Sequence, residues 1–331
     1  MLLVVNYHYL RDPEDSIFPG IHGVSSKRFE LQIENLCRNF EMITPSDIAL
    51  RELSDFKSGN FCLITFDDGL KEQFEKGKPL LDKHNVSGVF FINGVNVKTK
   101  IVSFVHKIHW LRSLTEPKEF INQVYAILEV ARIYIPVRFE DFEPISGQNI
   151  YDSAEDRYIK YLLNHLLNRE QQELVIDELY RQTGSDEFRH SESLYFTEDI
   201  IRELSSNEML GSHGYRHDVK TQLSKSELEN DILMNQELIA QITGKRPALV
   251  SYPYGGQKAV SVETGNRHKA LGFKRGFTME RAINTGNENE MLICRLDAND
   301  IPFGKTPLVE FSSTGITVKA PCTQGTTWFQ E

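Results

Sequence analysis

Apolar residues fall along this chain in two alternating rhythms. Residues 2–7 are a short, nearly continuous apolar run ending at His8, too short for a helix and aliphatic enough for a buried parallel strand. After a loop holding Pro13, Pro19, Gly20 and Gly23, Ser25-Ser26 offers an N-cap. Phe29, Ile33, Leu36, Cys37 and Phe40 then recur at helical spacing, an amphipathic helix of about four turns. Residues 63–66, in the apolar run from Phe61, predict a second strand, 70–84 a helix closing on Asn85, and 86–92 a third strand.

The rhythm then changes. From about residue 98 to 193 the pattern holds only helical stretches, at 104–114, 120–133, 154–167 and 171–181, bounded by polar loops such as 140–152 and 183–192. This predicts a mostly helical insertion. It carries His106, His109, His165 and His190. His106 and His109 stand three apart beside Trp110, a spacing more often met in packed or solvated helix faces than in a site, and no residue of the insertion shows a role.

Alternation resumes with a Thr197-capped helix to 205 and a strand at 208–213. Ser224-Lys-Ser-Glu227 is a capping box opening a helix over 228–242, stopped by Gly244 and Pro247. A strand at 248–252, a helix at 258–271 and strands at 273–278 and 291–296 follow. With the insertion set aside, seven strands alternate with helices, the pattern of an α/β fold with a parallel sheet, here an imperfect seven-stranded barrel. The expected organisation is one barrel domain over 1–303, interrupted at about 98–193, and a polar, strand-poor tail over 304–331 without an assigned role. Fraying is expected for the tail.

Composition narrows the partners. The 331 residues are 40% hydrophobic and 25% charged, ordinary globular values, and the formal charge of −10 argues against nucleic acid or an anionic membrane surface. Cys37, Cys62, Cys294 and Cys322 have no paired spacing; the first three fall on apolar faces and read as buried thiols of a reducing compartment. The opening residues lack a basic region, and no apolar run approaches spanning length, so a cytoplasmic protein without an integral membrane segment is expected.

The candidate chemistry sits at the carboxyl ends of the predicted strands, where parallel α/β folds gather their functional loops. His8 follows the first strand and Asp67-Asp68-Gly69 the second. Gly211-Ser-His213-Gly-Tyr-Arg-His217 follows the fourth, Ser251-Tyr-Pro-Tyr-Gly-Gly256 the fifth, and Arg295-Leu-Asp297 ends the seventh. Adjacent carboxylates in a dry place repel unless a cation relieves them, which favours a division of labour between a ligand and a proton acceptor. Two imidazoles, His213 and His217, with Asp68 would leave positions open for water on a divalent ion, the arrangement a hydrolytic centre requires. Asp67 is then placed to take a proton. Pro253 and Gly255 flank Tyr254 so that its backbone N–H can be aimed as a fixed oxyanion donor.

Thr65-Phe-Asp-Asp-Gly69, His213-Gly-Tyr-Arg-His217 and Tyr252-Pro-Tyr-Gly255, in this order, resemble the first three motifs of the polysaccharide deacetylases, carbohydrate esterase family four. The likeness covers roughly residues 1–95 and 195–303. It implies a distorted (β/α) barrel binding zinc or a similar divalent ion through Asp68, His213 and His217. It also implies Asp67 as base, the Tyr254 amide in the oxyanion hole, and removal of an N-acetyl, less often O-acetyl or N-formyl, group from a sugar. Two departures stand out. Ser251 occupies the place where relatives carry an arginine that braces the base; Arg295, with Asp297 beside it, is the expected substitute. No histidine follows His268, so the usual late histidine that protonates the leaving amine is missing, and His8 is the expected acid. The Tyr7-His8-Tyr9 start resembles a subgroup in which that histidine faces the site.

The resulting expectation is a metal-dependent deacetylase of an acetylated amino sugar, acting on a soluble or lipid-linked precursor in surface-polysaccharide assembly. The alternatives are another amide hydrolase on the same scaffold, such as a deformylase, and a silent glycan-binding barrel. A binding-only protein has no need of a base beside a ligand.

Overall fold

The computed structural model describes residues 1–12, 14, 23–143, 153–312, 315–319 and 322–324. Pro13, Pro19, Gly20 and most of the predicted 140–152 loop lie outside the described residues. β1 (Leu2–Tyr7) is buried along its whole length because both its faces are covered. Leu3, Val5 and Tyr7 join the cluster that holds Phe29 and Leu36 of α1 (Ser26–Asn39), while Leu2 and Val4 enter a separate cluster inside the barrel. α1 begins where its cap predicts: the Ser25 hydroxyl accepts from the Arg28 amide at 3.3 Å. Cys37 corrects the reading of its thiol as buried. The covered stripe runs through Phe29, Gln32, Ile33 and Leu36, and Cys37, one step round the helix, faces solvent.

β2 (Glu41–Met42) and α2 (Pro45–Leu50) were not legible as elements; they lead into β3 (Phe61–Phe66). The helix predicted over 70–84 runs over 71–83, widened to a π turn at Gln73–Gly77 and continuing as α3 (Lys78–Lys83), after which come β4 (Gly88–Ile92) and α4 (Gly94–Thr99).

Val102–His190 forms a compact unit of its own. It holds α5 (Phe104–Leu114), α6 (Pro117–Val130), α7 (Ala154–Tyr161), α8 (Arg169–Gln182) and the start of α9 (Glu187–Leu194). Lys107 is paired within it, Nζ meeting Asp177 at 2.8 Å and Glu187 at 2.9 Å. Trp110 packs on His190, ring centroids 4.8 Å apart, and the Tyr180 hydroxyl lies 2.6 Å from His190 Nδ1. These contacts make Trp110 and His190 part of this unit's own packing.

The other unit carries the sheet. α10 (Glu198–Ser206), β5 (Leu210–Ser212), α11 (Lys225–Thr243), β6 (Leu249–Ser251), α12 (Val262–Ala270) and β7 (Arg275–Phe277) continue the alternation. β8 (Ala282–Ile283) and β9 (Leu296–Asp297) follow. The parallel order is β7-β6-β5-β4-β3-β1-β9, with β2 also on β3. The predicted last strand, 291–296, ladders only at its end, because it serves two neighbours in turn. Ile293 bridges Phe277 of β7, then Leu296 and Asp297 pair with Val5 and Asn6 of β1. The sheet thereby curls into a distorted (β/α) barrel filled by Val4, Leu63, Val89, Phe91, Leu249, Phe277 and Ile293. Gly211 of β5 leaves room for the Phe91 ring, which would overlap any Cβ there.

The expectation of a strand-poor tail is overturned for the described residues. β10 (Val309–Ser312) pairs antiparallel with β11 (Gly315–Val318), and β12 (Thr323–Gln324) runs parallel to β8. Val309 and Cys322 are buried in the core, and Phe311 packs edge-on against Phe40 at 5.0 Å. Among the described residues no helix is long and apolar enough to cross a membrane.

Candidate active site

The inward positions of the barrel turn polar at one level. Along β1 the series Leu2, Val4 continues to Asn6, and along β3 Leu63 is followed by Thr65 and then Asp67. Arg295 enters this layer beyond Ile293, fully buried. Its guanidinium forks onto Asp67, Nη1 donating to Oδ1 at 2.9 Å and Nη2 to Oδ2 at 2.7 Å. Nη1 also reaches Asn6 Oδ1 at 3.0 Å and Thr65 Oγ1 at 3.2 Å, and Nε donates to the Thr278 carbonyl at 2.8 Å. Asn6 Nδ2 closes the network on Asp67 Oδ2 at 3.1 Å. Burial alone would push the Asp67 carboxyl up; the Arg295 guanidinium, with His213 and then His8, more than offsets this and holds it well below the usual range. Asp67 is therefore a carboxylate at any physiological pH.

Asp68 leaves β3 with a left-handed backbone, φ +79°, followed by Gly69 at φ +62°. A Cβ at Gly69 would stand 2.9 Å from Ile92 Cγ2, so only glycine lets the chain turn there. The turn brings Asp68 Oδ1 to 3.5 Å from His213 Nε2 and 3.3 Å from His217 Nε2. One ligand atom from each of the three lies within 4.8 Å of the others. His213 Nδ1 faces the Ser251 hydroxyl at 2.6 Å and the Ser251 carbonyl at 3.0 Å, which fixes the ring and presents Nε2 to Asp68. Desolvation pushes His213 down to about 4, so at neutral pH it is the uncharged imidazole that can donate a lone pair. One carboxylate oxygen and two imidazole nitrogens, buried and convergent, fit a divalent ion of the zinc type.

His217 at φ +56° and Tyr254 at φ +63° share the left-handed conformation of Asp68. Such conformations cost roughly 1–3 kcal/mol each and persist where the surroundings enforce them. The Tyr254 turn is enforced by Gly255 N–H donating to the Pro253 carbonyl at 2.8 Å and by Met279 N–H donating to the Gly255 carbonyl at 2.9 Å. The half-exposed Tyr254 ring stands edge-on to His217, centroids 5.0 Å apart.

His8 is half-buried at the end of β1. Gln73, in the π turn, donates from Nε2 to both the His8 carbonyl at 2.9 Å and the Asp67 carbonyl at 2.6 Å, tying the two strand ends together. Asp297 takes a different place from the one expected beside Arg295. Its Oδ1 accepts from the Asn299 amide at 2.8 Å and Asn299 Nδ2 at 2.9 Å, capping the turn after β9. The network residues that sequence reasoning missed are Asn6, Thr65 and Gln73, together with the bond from Ser251 to His213. Asn6 and Thr65 carried a usable signal, polar side chains at inward positions of otherwise apolar strands. A second grouping, Glu30, Glu34 and His84, is partly exposed, and its carboxylates are paired with Lys83 and Arg38.

The sequence model described as polysaccharide deacetylase matches residues 57–130 and 168–275, more than half of the chain. The chain belongs to the polysaccharide deacetylase family. The match extends into the helical unit and stops short of Arg295, bounds that differ from the 1–95 and 195–303 expected from the motifs. The chain is 36% identical over 84 residues to the peptidoglycan-N-acetylmuramic acid deacetylase PdaC of Bacillus subtilis (strain 168), a match over 25% of this chain and 18% of that much longer protein. Among solved structures it is similar to the Streptococcus pyogenes deacetylase PplD in complex with acetate, with a TM-score of 0.51 and 12% identity over 89% of this chain and 90% of that one. IcaB from Ammonifex degensii gives a TM-score of 0.51 at 14% identity, over the same 89% and 90%. At these identities the two structures speak for the fold.

Proposed function

We propose that this protein is a divalent-metal-dependent hydrolase that removes the N-acetyl group from an amino sugar. The observation that carries the reading is a carboxylate, Asp67, forked by a buried arginine directly beside the convergent Asp68, His213 and His217. A carboxylate held so far below neutrality is a weak base, so its partner water has to be made acidic. A divalent ion held by Asp68, His213 and His217 would supply that acidity and Lewis-acid polarisation of the acetyl carbonyl.

The chain's own groups supply the rest. Asp67, kept ionised and oriented by Arg295 and Asn6, takes a proton from the attacking water. The Tyr254 amide, fixed by its turn, donates to the oxyanion as the carbonyl carbon becomes tetrahedral. His8, half-buried at the end of β1, hands a proton to the departing nitrogen. The substrate class rests on the family and on PdaC, whose name gives its substrate as peptidoglycan N-acetylmuramic acid. We place the reaction on an N-acetylated sugar, soluble or lipid-linked, in surface-polysaccharide assembly, in the cytoplasm.

Acetate release from N-acetylglucosamine oligomers and nucleotide sugars, with elemental analysis of bound metal, tests the reading. Asp67→Asn should keep the ion and lose about 10²–10⁴-fold in turnover, and His217→Ala should lose both. Equal turnover of Asp67→Asn and wild type refutes the base, and an unchanged turnover number in His8→Ala refutes the acid.

A further inference from the structure

The proposed ligand loop is held by a buried ion pair that the reaction does not use. Between His213 and His217 the backbone turns back on itself, and the amides of Tyr215 and Arg216 both point at Asp231 of α11, each donating to Oδ1 at 3.0 Å. The second oxygen of Asp231 is bonded to Lys220 Nζ. Both side chains are buried, 0% exposed for Lys220 and 4% for Asp231. Burying two charges costs several kcal/mol per ion before their attraction is counted, and a pair of apolar residues would often serve stability as well. A pair retained in such a place is better explained by what it orients.

Asp231 accepts the two amides that lie midway between the imidazoles, so it sets the curvature of the loop and the separation of the two rings. Gly214 shows how closely the pair is packed under the loop. Its φ is +77°, and a Cβ there would stand 2.8 Å from Asp231 Oδ2 and closer still to Lys220 Nζ. The loop thus lacks a side chain where the pair needs the space. Asn93 grips the other side, Nδ2 donating to the His213 carbonyl at 2.7 Å and the Gly214 carbonyl at 3.2 Å.

We infer that Lys220 and Asp231 are positioning residues that hold His213 and His217 at ligand spacing before any ion arrives. This rests on the reading of these imidazoles as ligands of a divalent ion. Positioning shells of this kind are worth about 10–100-fold in metal affinity, and that is the loss expected for Asp231→Asn, whose side chain presents one acceptor and a donor that opposes Lys220. Asp231→Glu should recover part of it. Gly214→Ala, which displaces the pair from the loop side, should show a loss of the same order.

The measurement is calorimetric titration of the metal-stripped protein with Co²⁺, with circular dichroism and thermal midpoints taken on each variant. Arg275→Met serves as the control for stability alone, since Arg275 pairs with Glu290 at the amino end of β7. It should lower the midpoint and leave Co²⁺ affinity within twofold of wild type. Folded Asp231→Asn and Gly214→Ala proteins that also bind within twofold of wild type would overturn the inference and leave the proposed function standing. Failure of wild type itself to bind Co²⁺ would overturn the proposed function. Should the variants not fold, hydrogen exchange on the metal-stripped wild type decides. The Tyr215 and Arg216 amides must be protected like the strand amides of β5, and exchange at loop rates would refute a preset loop.

Discussion

Arg295 concentrates the chemistry at the scale of single residues. Two neighbouring carboxylates repel, and they are turned to different partners. Arg295 neutralises Asp67, while Asp68 is turned to the imidazoles. A fork of two parallel bonds also fixes the plane of the carboxylate, which a lysine ammonium cannot do. Removing the guanidinium leaves Asp67 buried without its main partner, so Arg295→Met should raise the Asp67 pKa. The acidic limb of the kcat/KM–pH profile then moves to higher pH, because the proposed base must be ionised to act. Arg295→Lys should restore part of the charge effect and little of the turnover. An acidic limb at the same pH in wild type and Arg295→Met would show that Asp67 is not the group titrating there. Ser251 is the complementary case. Its hydroxyl holds His213, so Ser251→Ala should weaken Co²⁺ binding about 10–100-fold by calorimetry. Unchanged affinity would mean that the Ser251 carbonyl alone orients the ring.

At the scale of elements, the sequence is most readable where a local signal and a buried face agree. β1 and the start of α1 fall where the apolar run and Ser25 predict, and the Ser224–Glu227 capping box is formed. Asp67, Asp68, His213 and His217 could be found because each follows a strand end, and their convergence is a consequence of the barrel. What stays hidden depends on distant partners. β2 and β8 are two residues long and exist only through what they pair with. The π turn arises where Gln73 reaches two carbonyls at once, and Lys220–Asp231 joins residues whose spacing has no meaning until α11 packs. The tail departs from its sequence pattern for the same reason, its strands being short, polar on one side and bonded to β8 and to each other. Since Val309 is fully buried and Phe311 packs on Phe40, ending the chain at residue 303 should cost at least the burial of Val309, about 1.5–3 kcal/mol. Thermal denaturation of the truncated protein measures it, and an unchanged midpoint would show the tail to be a passenger.

The whole molecule carries a pH dependence that follows from where its histidines lie. His268 on α12 is fully buried against Tyr252 and Phe273, its Nδ1 2.8 Å from the Thr264 carbonyl, and desolvation pushes it down to about 4; His213 is depressed equally. Between the unfolded value near 6.5 and the folded value near 4, the unfolded chain binds protons that the folded chain refuses. Stability is therefore complete above about pH 6.5 and falls as the pH drops through that window, by roughly 3 kcal/mol per histidine at most. Asp67 and Asp231, held below the usual carboxylate range, add their losses only at still lower pH, whereas Glu72 and Asp300, pushed up by burial, act against the slope. Urea midpoints of the metal-stripped protein should consequently decline from pH 7.5 to 5, and His268→Leu should remove about half of the decline without touching the ligand loop. A divalent ion held by His213, as proposed, would compete with protons there and should shift the remaining half to lower pH. If the decline is the same with and without the ion, His213 is not among the groups that bind it.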